Sequence, residues 1–262
     1  MERNTEIELL EKARNRIAYM DNYDETMLMI KDLIELVEEK NKVIKETAET
    51  LKDLKQDMAD LNKEMTDIKE SAKRDALTGL YNRKAEKPYF EEVFESLNDP
   101  EKEAPETLHV VAIDLDHFKS INDTYGHDVG DDALIIVARG LESFFRRKDL
   151  VVREGGDEFV ILAKDCPPDI LEEKLEKMAE AIRNNVNGAL DSNRRVIDGE
   201  EVSITRPHDY TVSYGYTELD LSELTQDMLN DEEAFVNWFN NQKKAADNAS
   251  FEMKKSHHAV RK

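Results

Sequence analysis

Cysteine, glycine, proline and positive charge are all scarce in this chain of 262 residues. Its single cysteine, Cys166, excludes an internal disulfide and is typical of a protein in a reducing compartment. The 37 basic and 59 acidic residues give a formal net charge of −22, which argues against a DNA- or RNA-binding protein because such proteins need a basic face. The N-terminus is charged and no apolar run approaches the roughly 18 residues of a membrane span. We therefore expect no signal peptide, no membrane partner and a cytoplasmic location.

Neither glycine nor proline occurs before Gly79. From Ile30 onward, apolar residues recur at alternating spacings of three and four for about six heptads, with an interruption at Lys40. This pattern predicts a coiled coil within residues 1–73, most simply a parallel homodimer; the alternative is a solvated helix folded back on the rest of the chain. A break in the helix is expected near residues 21–24. The heptad positions are Ile30, Leu33, Val37, Ile44, Thr47, Leu51, Leu54, Met58, Leu61, Met65, Ile68 and Ala72.

One apolar segment ends in closely spaced carboxylates. Residues 108–113 form a short apolar, largely β-branched run, typical of a strand that is buried on both faces. Asp114, Leu115 and Asp116 follow it. Because side chains alternate along a strand, Asp114 and Asp116 should lie on one side and Leu115 on the other. Buried carboxylates are costly unless they are paired or bind a cation.

A pair of glycines lies between two other β-branched runs. Gly155 and Gly156 predict a tight hairpin turn that needs a positive φ, and Asp157 and Glu158 follow directly. If the strand that ends in Asp114 pairs beside this hairpin, Asp114 and Asp157 converge. Hard oxygen ligands of this kind suit Mg²⁺, which keeps phosphate and water oxygens in its remaining positions. The alternative for each segment is that its acids cap helices or form turns.

Taken together, these segments resemble the GGDEF domain family. The resemblance covers the chain from about Arg74 to the C-terminus, so we assign residues 74–262 to the domain. It implies an α+β fold related to the palm of nucleotidyl cyclases and polymerases, with a mostly antiparallel sheet flanked by helices. It also implies diguanylate cyclase activity, in which two GTP molecules condense to cyclic di-GMP and two pyrophosphates. The segments that carry it are 75–83, 114–119, 122–123, 125–127, 130–131 and 155–159.

The resemblance implies roles for individual residues. Asp114 and Asp157, with the backbone carbonyl of Leu115, match the family's ligands of Mg²⁺ (or Mn²⁺). Glu158 matches an acid that helps to deprotonate the attacking 3′-hydroxyl or binds a second metal. The positions that match those lining the triphosphate are Phe118, Lys119, Gly155, Gly156 and Lys254, the first two mainly through their backbone amides.

Asn122 and Asp131 match the positions that bind the guanine edge. A carboxylate beside a side-chain amide can accept the N1 and N2 hydrogens of guanine. Adenine lacks those hydrogens and would leave the carboxylate unpaired, which carries a substantial penalty. Asp131 therefore favours GTP as the substrate.

Two features depart from the family's pattern. Near the C-terminus the family usually has an arginine where this chain has His258, preceded by His257, and an imidazole is a weaker phosphate partner than a guanidinium. The stretches 187–209 and 218–244 are also longer than the family requires. We expect an extended hairpin in the first stretch and an added helix around Trp238 in the second.

Arg146 and Asp149 match an Arg-x-x-Asp site at which the family's product binds and inhibits. Arg183, on the helix expected to follow, is a candidate helper residue. The alternative is that the basic residues here lie in the last turn of a helix and oppose its dipole. Stacking of a guanidinium on guanine would be the physical basis of product binding.

The sequence thus favours a homodimeric diguanylate cyclase. Two nucleotides must attack each other, so two sites must face each other about a two-fold axis, and a coiled coil would raise their effective concentration. The first alternative is a GGDEF module without catalysis that acts as a cyclic di-GMP receptor, although intact Asp114, Asp157 and Glu158 favour the enzyme. The second alternative is a structural coiled-coil protein with a GTP-binding head.

Overall fold

The structure is a computed structural model that describes residues 11–16, 23–197, 200–203 and 205–259, without the side chains of residue 23 and of residues 194–203 and 258–259. The chain divides into two units after Ile68. We take each unit by itself.

The N-terminal part of the chain is helical. Residues 11–16 are helical, and a 50-residue helix, α1, runs from Tyr23 to Ala72. The break predicted near residues 21–24 falls at the edge of the described part: residues 17–22 lie outside it, and residues 23 and 24 already belong to α1. Thr47, at a heptad position, donates its hydroxyl hydrogen to the Val43 carbonyl oxygen at 2.8 Å. That bond satisfies a hydroxyl group that the heptad pattern places among apolar positions.

A five-stranded mixed sheet forms the centre of the second unit. Its order is β1-β3-β4-β2-β7, in which only the β1–β3 pair is parallel. The predicted α+β fold with a mostly antiparallel sheet is therefore confirmed. The strands are β1 (Tyr81–Asn82), β2 (Leu108–Leu115), β3 (Leu150–Gly155), β4 (Glu158–Lys164) and β7 (Val212–Glu218), and a separate hairpin is formed by β5 (Arg194–Ile197) and β6 (Glu200–Ser203).

Helices cover both faces of this sheet. Alternation along β2 sends Val111, Ile113 and Leu115 into one apolar core and Val110 and Ala112 into another. Helices α3 to α5 pack on the first core, while α2 and α7 supply the aromatic side chains of the second. The helices are α2 (Glu86–Asn98), α3 (Phe118–Tyr125), α4 (His127–Phe144), α5 (Pro168–Asp191), α6 (Gln226–Asn230) and α7 (Glu232–Ala259), with 3₁₀ turns at Arg83–Ala85 and Leu221–Glu223.

The two long stretches differ in how far they follow the prediction. The hairpin expected within 187–209 is present as β5 and β6, although residues 198–199 lie outside the described part. The helix expected around Trp238 is also present, but it is not separate. It is continuous with the C-terminal helix, so that Trp238 and Lys254 both lie on α7.

None of the described helices is long and apolar enough to cross a membrane.

Candidate active site

The predicted pairing of the carboxylate strand with the glycine hairpin is present. Strands β2 and β4 are antiparallel, with Asp114 opposite Glu158. At the next step the N–H of Leu115 donates to the carbonyl oxygen of Asp157 at 3.2 Å. The backbone therefore brings Asp114, Asp157 and Glu158 to one end of the sheet.

The turn between β3 and β4 requires its second glycine. Gly156 has φ +51°, a conformation that side-chain-bearing residues rarely adopt. A Cβ placed on Gly155 or on Gly156 would meet nothing within 4 Å, so the backbone here faces open space. A phosphate group can therefore approach both residues closely.

Arg153 holds this turn, a function that sequence inspection alone did not assign to it. Its Nε and Nη2 donate to the carbonyl oxygen of Gly156 at 3.0 and 2.8 Å, and its Nη1 donates to Asp75 Oδ1 at 2.9 Å. Burial tends to raise the pKa of Asp75, but hydrogen bonds from Thr78 and Arg153 outweigh it and bring the pKa below its usual value. An anionic Asp75 thus links the hairpin to the segment that precedes β1.

Asp114 lies among charges of both signs. Its Oδ1 accepts a hydrogen bond from Lys254 Nζ, which α7 supplies. Burial raises the pKa of Asp114; Lys254 opposes this shift, while Asp157 and Asp116 add to it. The carboxylates are thus close enough to repel one another, and a bound cation would relieve that repulsion.

A divalent cation fits this donor set. Among the described residues, no group of three acidic, histidine or cysteine side chains could hold a metal ion, so an ion bound here would also need backbone and non-protein oxygens. Two carboxylates and a backbone carbonyl leave positions open for water and phosphate oxygens, which is the coordination that Mg²⁺ favours. The ligand roles of Asp114, Asp157 and Leu115 stay predictions.

Asp116 lies on the same side of β2 as Asp114, as alternation predicts, and it also contacts α7. It is fully buried, accepts hydrogen bonds from Ser213 Oγ at 2.8 and 2.9 Å, and lies 2.7 Å from His257 Nδ1. His257 is thus fixed by a buried carboxylate one turn of α7 beyond Lys254. The side chain of His258 lies outside the described part.

Asn122 is positioned by the close approach of α3 and α4. A Cβ on Gly130 would lie 1.9 Å from Asn122 Oδ1 and 3.5 Å from a ring carbon of Phe118, so any side chain at position 130 would displace the Asn122 amide. Asp131 follows directly and is exposed, as is Lys119. Asn122 and Asp131 are therefore held at one helix junction, at the end of the segment that starts from Asp114.

An open cavity of about 440 Å³ adjoins Asp114. Glu158, which is exposed, and Lys254 also line it. So do Glu154 and Lys243, two charged residues that sequence inspection did not single out. Lys243 Nζ lies 2.7 and 2.6 Å from the two Glu154 carboxylate oxygens, and both side chains are less than one-tenth exposed. This ion pair ties the end of β3 to α7.

Glu86 adjoins the Glu154 ion pair. It is 4% exposed, and its Oε1 has no hydrogen-bond partner among the described residues. Burial and the nearby charge of Glu154 raise the pKa of Glu86 to about 8. Residues 86, 154 and 243 are far apart in the sequence, so their proximity could not be inferred from spacing.

A second cavity, of about 500 Å³, contains Arg146 and Asp149. Asp149 shapes its own turn, because its carboxylate accepts from the backbone N–H groups of Arg146 at 2.8 Å and of Lys164 at 3.1 Å. The basic residues follow the end of α4 at Phe144, so the alternative that they occupy its last turn is wrong. The lining residues are Arg74, Tyr81, Glu142, Phe145, Arg146, Arg147, Asp149 and Val151.

Arg183 is not among the residues that line this cavity. It is on α5, as expected, but its guanidinium pairs with Asp209 at 2.8 Å from Nε and 2.7 Å from Nη2. Its predicted part in product binding therefore has no support from the described contacts of this chain.

Comparisons with known proteins show which sequences this chain resembles. The family model described as "Diguanylate cyclase, GGDEF domain" matches residues 72–214. The probable diguanylate cyclase DgcT of Escherichia coli (strain K12) is 35% identical over 190 residues, which are 72% of this chain and 35% of that protein. The cyclic di-GMP phosphodiesterase NbdA of Pseudomonas aeruginosa is 43% identical over 119 residues, which are 44% of this chain and 15% of that protein. The chain thus spans about a third or less of the length of these curated relatives.

A solved structure also matches most of the chain. The diguanylate cyclase SiaD, crystallised in complex with its activator SiaC from Pseudomonas aeruginosa, aligns with a TM-score of 0.51 at 28% identity. The alignment covers 97% of this chain and 85% of that one. The similarity supports the fold described above.

Proposed function

The chain belongs to the GGDEF domain family, and from that premise we propose that it is a diguanylate cyclase that condenses two GTP molecules to cyclic di-GMP and two pyrophosphates. The observation that carries the proposal is the meeting of Asp114, Asp157 and Glu158 at the β2–β4 end, with Lys254 bound to Asp114. A protein that only binds nucleotide has no need of this acidic set.

In the proposed reaction, Asp114, Asp157 and the Leu115 carbonyl would hold Mg²⁺ or Mn²⁺. When bound, such an ion lowers the pKa of an attacking hydroxyl and neutralises the leaving pyrophosphate. Lys254 already contacts Asp114 and would exchange part of that contact for a phosphate oxygen. Glu158 is exposed beside the same cavity, where its carboxylate can accept the 3′-hydroxyl proton.

The open backbone of Gly155 and Gly156, with the amides of Phe118 and Lys119, would line the triphosphate. The guanine base would be bound at the α3–α4 junction by Asn122 and Asp131. The amide and the carboxylate together offer the acceptors that guanine needs and adenine cannot use.

We place the two half-reactions in a homodimer formed through α1. Many large apolar side chains of α1 are exposed, and those at heptad positions that are more than half exposed include Leu51, Leu54, Met58, Leu61 and Ile68. Pairing with a second copy would remove them from water and would raise the effective concentration of the two domains. The cytoplasm, which supplies GTP, is the compartment we propose.

Product inhibition would act at the second cavity. Arg146 and Arg147 contribute positive charge there, and Arg74 lies with its guanidinium 3.6 Å from the centre of the Tyr81 ring. An anionic dinucleotide with flat bases suits such a lining. The same cavity favours the second candidate function, a cyclic di-GMP receptor without catalysis.

Incubation of the purified chain with GTP and Mg²⁺, followed by chromatography for cyclic di-GMP, tests the proposal. Product from the wild type and a loss of at least about 100-fold in Asp157→Ala would support the cyclase. Absence of product together with cyclic di-GMP binding that Arg146→Ala removes would identify the receptor instead. Absence of product with binding of GTP alone would leave the structural coiled-coil protein.

A further inference from the structure

Residues 205–211, between β6 and β7, connect α5 with the turn that follows β2, and we call this segment the brace. It carries no regular secondary structure, yet Tyr210 within it is fully buried. Asn187 of α5 holds this segment from one side: its Oδ1 accepts from the Tyr210 N–H at 2.9 Å, and its Nδ2 donates to the Tyr210 carbonyl oxygen at 2.8 Å. Both hydrogen bonds fix the main chain rather than a side chain.

Two charged residues of the segment itself, Arg206 and Asp209, complete this anchor. Arg206 donates from Nη1 to Asn187 Oδ1 at 2.7 Å and to Asp209 Oδ1 at 3.1 Å, and from Nε to Asp191 Oδ1 at 2.6 Å. Burial tends to raise the pKa of Asp209, but hydrogen bonds and charge from Arg206 and Arg183 hold the pKa below its usual value. Arg206 Nη1 also donates to the carbonyl oxygen of His208 at 3.4 Å. The segment is thus fastened to α5 by partners that do not include the His208 side chain.

The other side of the segment supports the turn that follows β2. The Asp116 N–H donates to the Thr211 carbonyl oxygen at 2.8 Å, and the Tyr210 hydroxyl lies 3.3 Å from Ser120 Oγ. The closest ring contact is between His208 and His117, whose centroids are 4.1 Å apart with planes 4° from parallel. The brace therefore spans from α5 to the turn between Asp116 and Ser120.

His117 has an unusual backbone conformation. Its φ is +60° and its ψ is 23°, the left-handed region, which is unfavourable for a residue with a side chain. It is the N-cap of α3 and makes no side-chain cap, so it provides no side-chain acceptor for the first amides of the helix. Those amides belong to Phe118 and Lys119, the residues assigned above to the triphosphate.

We infer that His208 is a positioning residue of the nucleotide site: its ring, stacked on His117, holds His117 in the left-handed conformation and so aims the first amides of α3 at the phosphates. This inference rests on the proposed function. Both rings are only partly buried, so the stack is not an obligatory part of the core. The long stretch before β7, to which the sequence assigned no role, thereby acquires one.

The test compares His208→Ala with His208→Phe in the full-length chain. Phenylalanine keeps a flat ring for stacking and cannot be charged, so it isolates the ring from the charge. Binding of a non-reacting GTP analogue with Mg²⁺, measured by calorimetry, is read beside KM and kcat for product formation. We expect His208→Ala to weaken binding and to raise KM about tenfold with kcat much less changed, and His208→Phe to resemble the wild type.

A second change separates positioning from simple loss of structure. Glycine adopts a positive φ freely, so in a His117→Gly background the His208→Ala substitution should have little further effect on binding. Lys177→Ala, on the exposed surface of α5, is the control for any general effect of substitution.

Equal weakening by His208→Ala and His208→Phe would overturn the inference, as would full additivity of His208→Ala with His117→Gly. A wild type that binds the analogue but forms no product would contradict the proposed function while the binding comparison still decides the role of His208.

Discussion

The long helix α1 and the sheet domain differ in how far they bury their apolar residues. In the domain, Val111, Ile161 and Phe90 are completely buried between the sheet and its helices. In α1, Leu28, Ile44 and Leu61 are each more than 60% exposed. The domain completes its own hydrophobic core, whereas α1 carries a stripe of exposed apolar side chains.

This difference shows where each region obtains its stability. Burial of apolar area is worth about 25 cal/mol per Å², so the domain gains this energy as a single chain. An isolated helix gains little from backbone hydrogen bonds alone, because most helical stability in proteins comes from packing of an apolar face. We therefore expect α1 to depend on a second copy and the domain to fold without one.

The largest expected effect comes from charging the stripe. Leu54→Lys with Leu61→Lys in the full chain should give monomers by sedimentation and lower cyclic di-GMP formation by roughly 100-fold or more at low protein concentration, because two domains must then meet by diffusion. Glu49→Gln with Gln56→Lys adds the same charge away from the heptad positions and should change neither property. Loss of activity without dissociation into monomers would contradict the claim that α1 supports activity by pairing two copies.

A substitution in the core of the domain should lower the stability of the domain, whereas a substitution in α1 should not. Ile161 is fully buried at the centre of β4, so Ile161→Ala should lower the free energy of unfolding by about 2–5 kcal/mol. Trp238, the single tryptophan, is buried in the domain and reports its unfolding by fluorescence during a denaturant titration. Leu61→Ala in α1 should leave the Trp238 transition almost unchanged. A similar shift from both substitutions would show that the domain also depends on the helix.

The buried Glu86 should make the stability of the domain depend on pH. With a pKa raised from 4.5 to about 8, the folded state favours its protonated form, so unfolding free energy should fall as pH rises from about 4.5 to 8. Glu86→Gln has no proton to lose and can still donate to Glu154. Its free energy of unfolding should therefore exceed that of the wild type by as much as about 4 kcal/mol at pH 8, and most of that difference should be gone near pH 5. Equal pH dependence in both proteins would contradict the raised pKa.

The smallest effect concerns the two adjacent glycines. Gly156→Ala should cost about 1 kcal/mol of stability because its φ is positive, whereas Gly155→Ala should be nearly neutral because its φ is not and its surroundings are open. Denaturant unfolding followed through Trp238 measures both. The reverse order of the two costs would contradict the conformation of this turn.

Local patterns predicted much of this molecule from sequence. Alternation along β2 correctly put Asp114 and Asp116 on one side, and the Gly155–Gly156 pair correctly marked a hairpin beside that strand. These signals succeed because a strand's faces and a turn's φ depend on neighbouring residues.

Contacts between distant segments were not predictable in this way. The sequence gives no spacing that links Glu154 to Lys243, 89 residues away, or His208 to His117. The sequence also did not predict that Arg183, on the expected helix, pairs with Asp209. Which partner a charged side chain selects depends on tertiary packing.

The most direct test of the account mixes active and inactive chains. After joint unfolding and refolding, a ninefold excess of full-length Asp157→Ala should reduce product formation by wild-type chains to about one tenth, because most wild-type chains would then be paired with an inactive partner. The same excess of Asp157→Ala that also carries Leu54→Lys and Leu61→Lys should leave wild-type activity unchanged. Undiminished activity in the presence of the first inactive chain would contradict a cyclase that works as a dimer through α1.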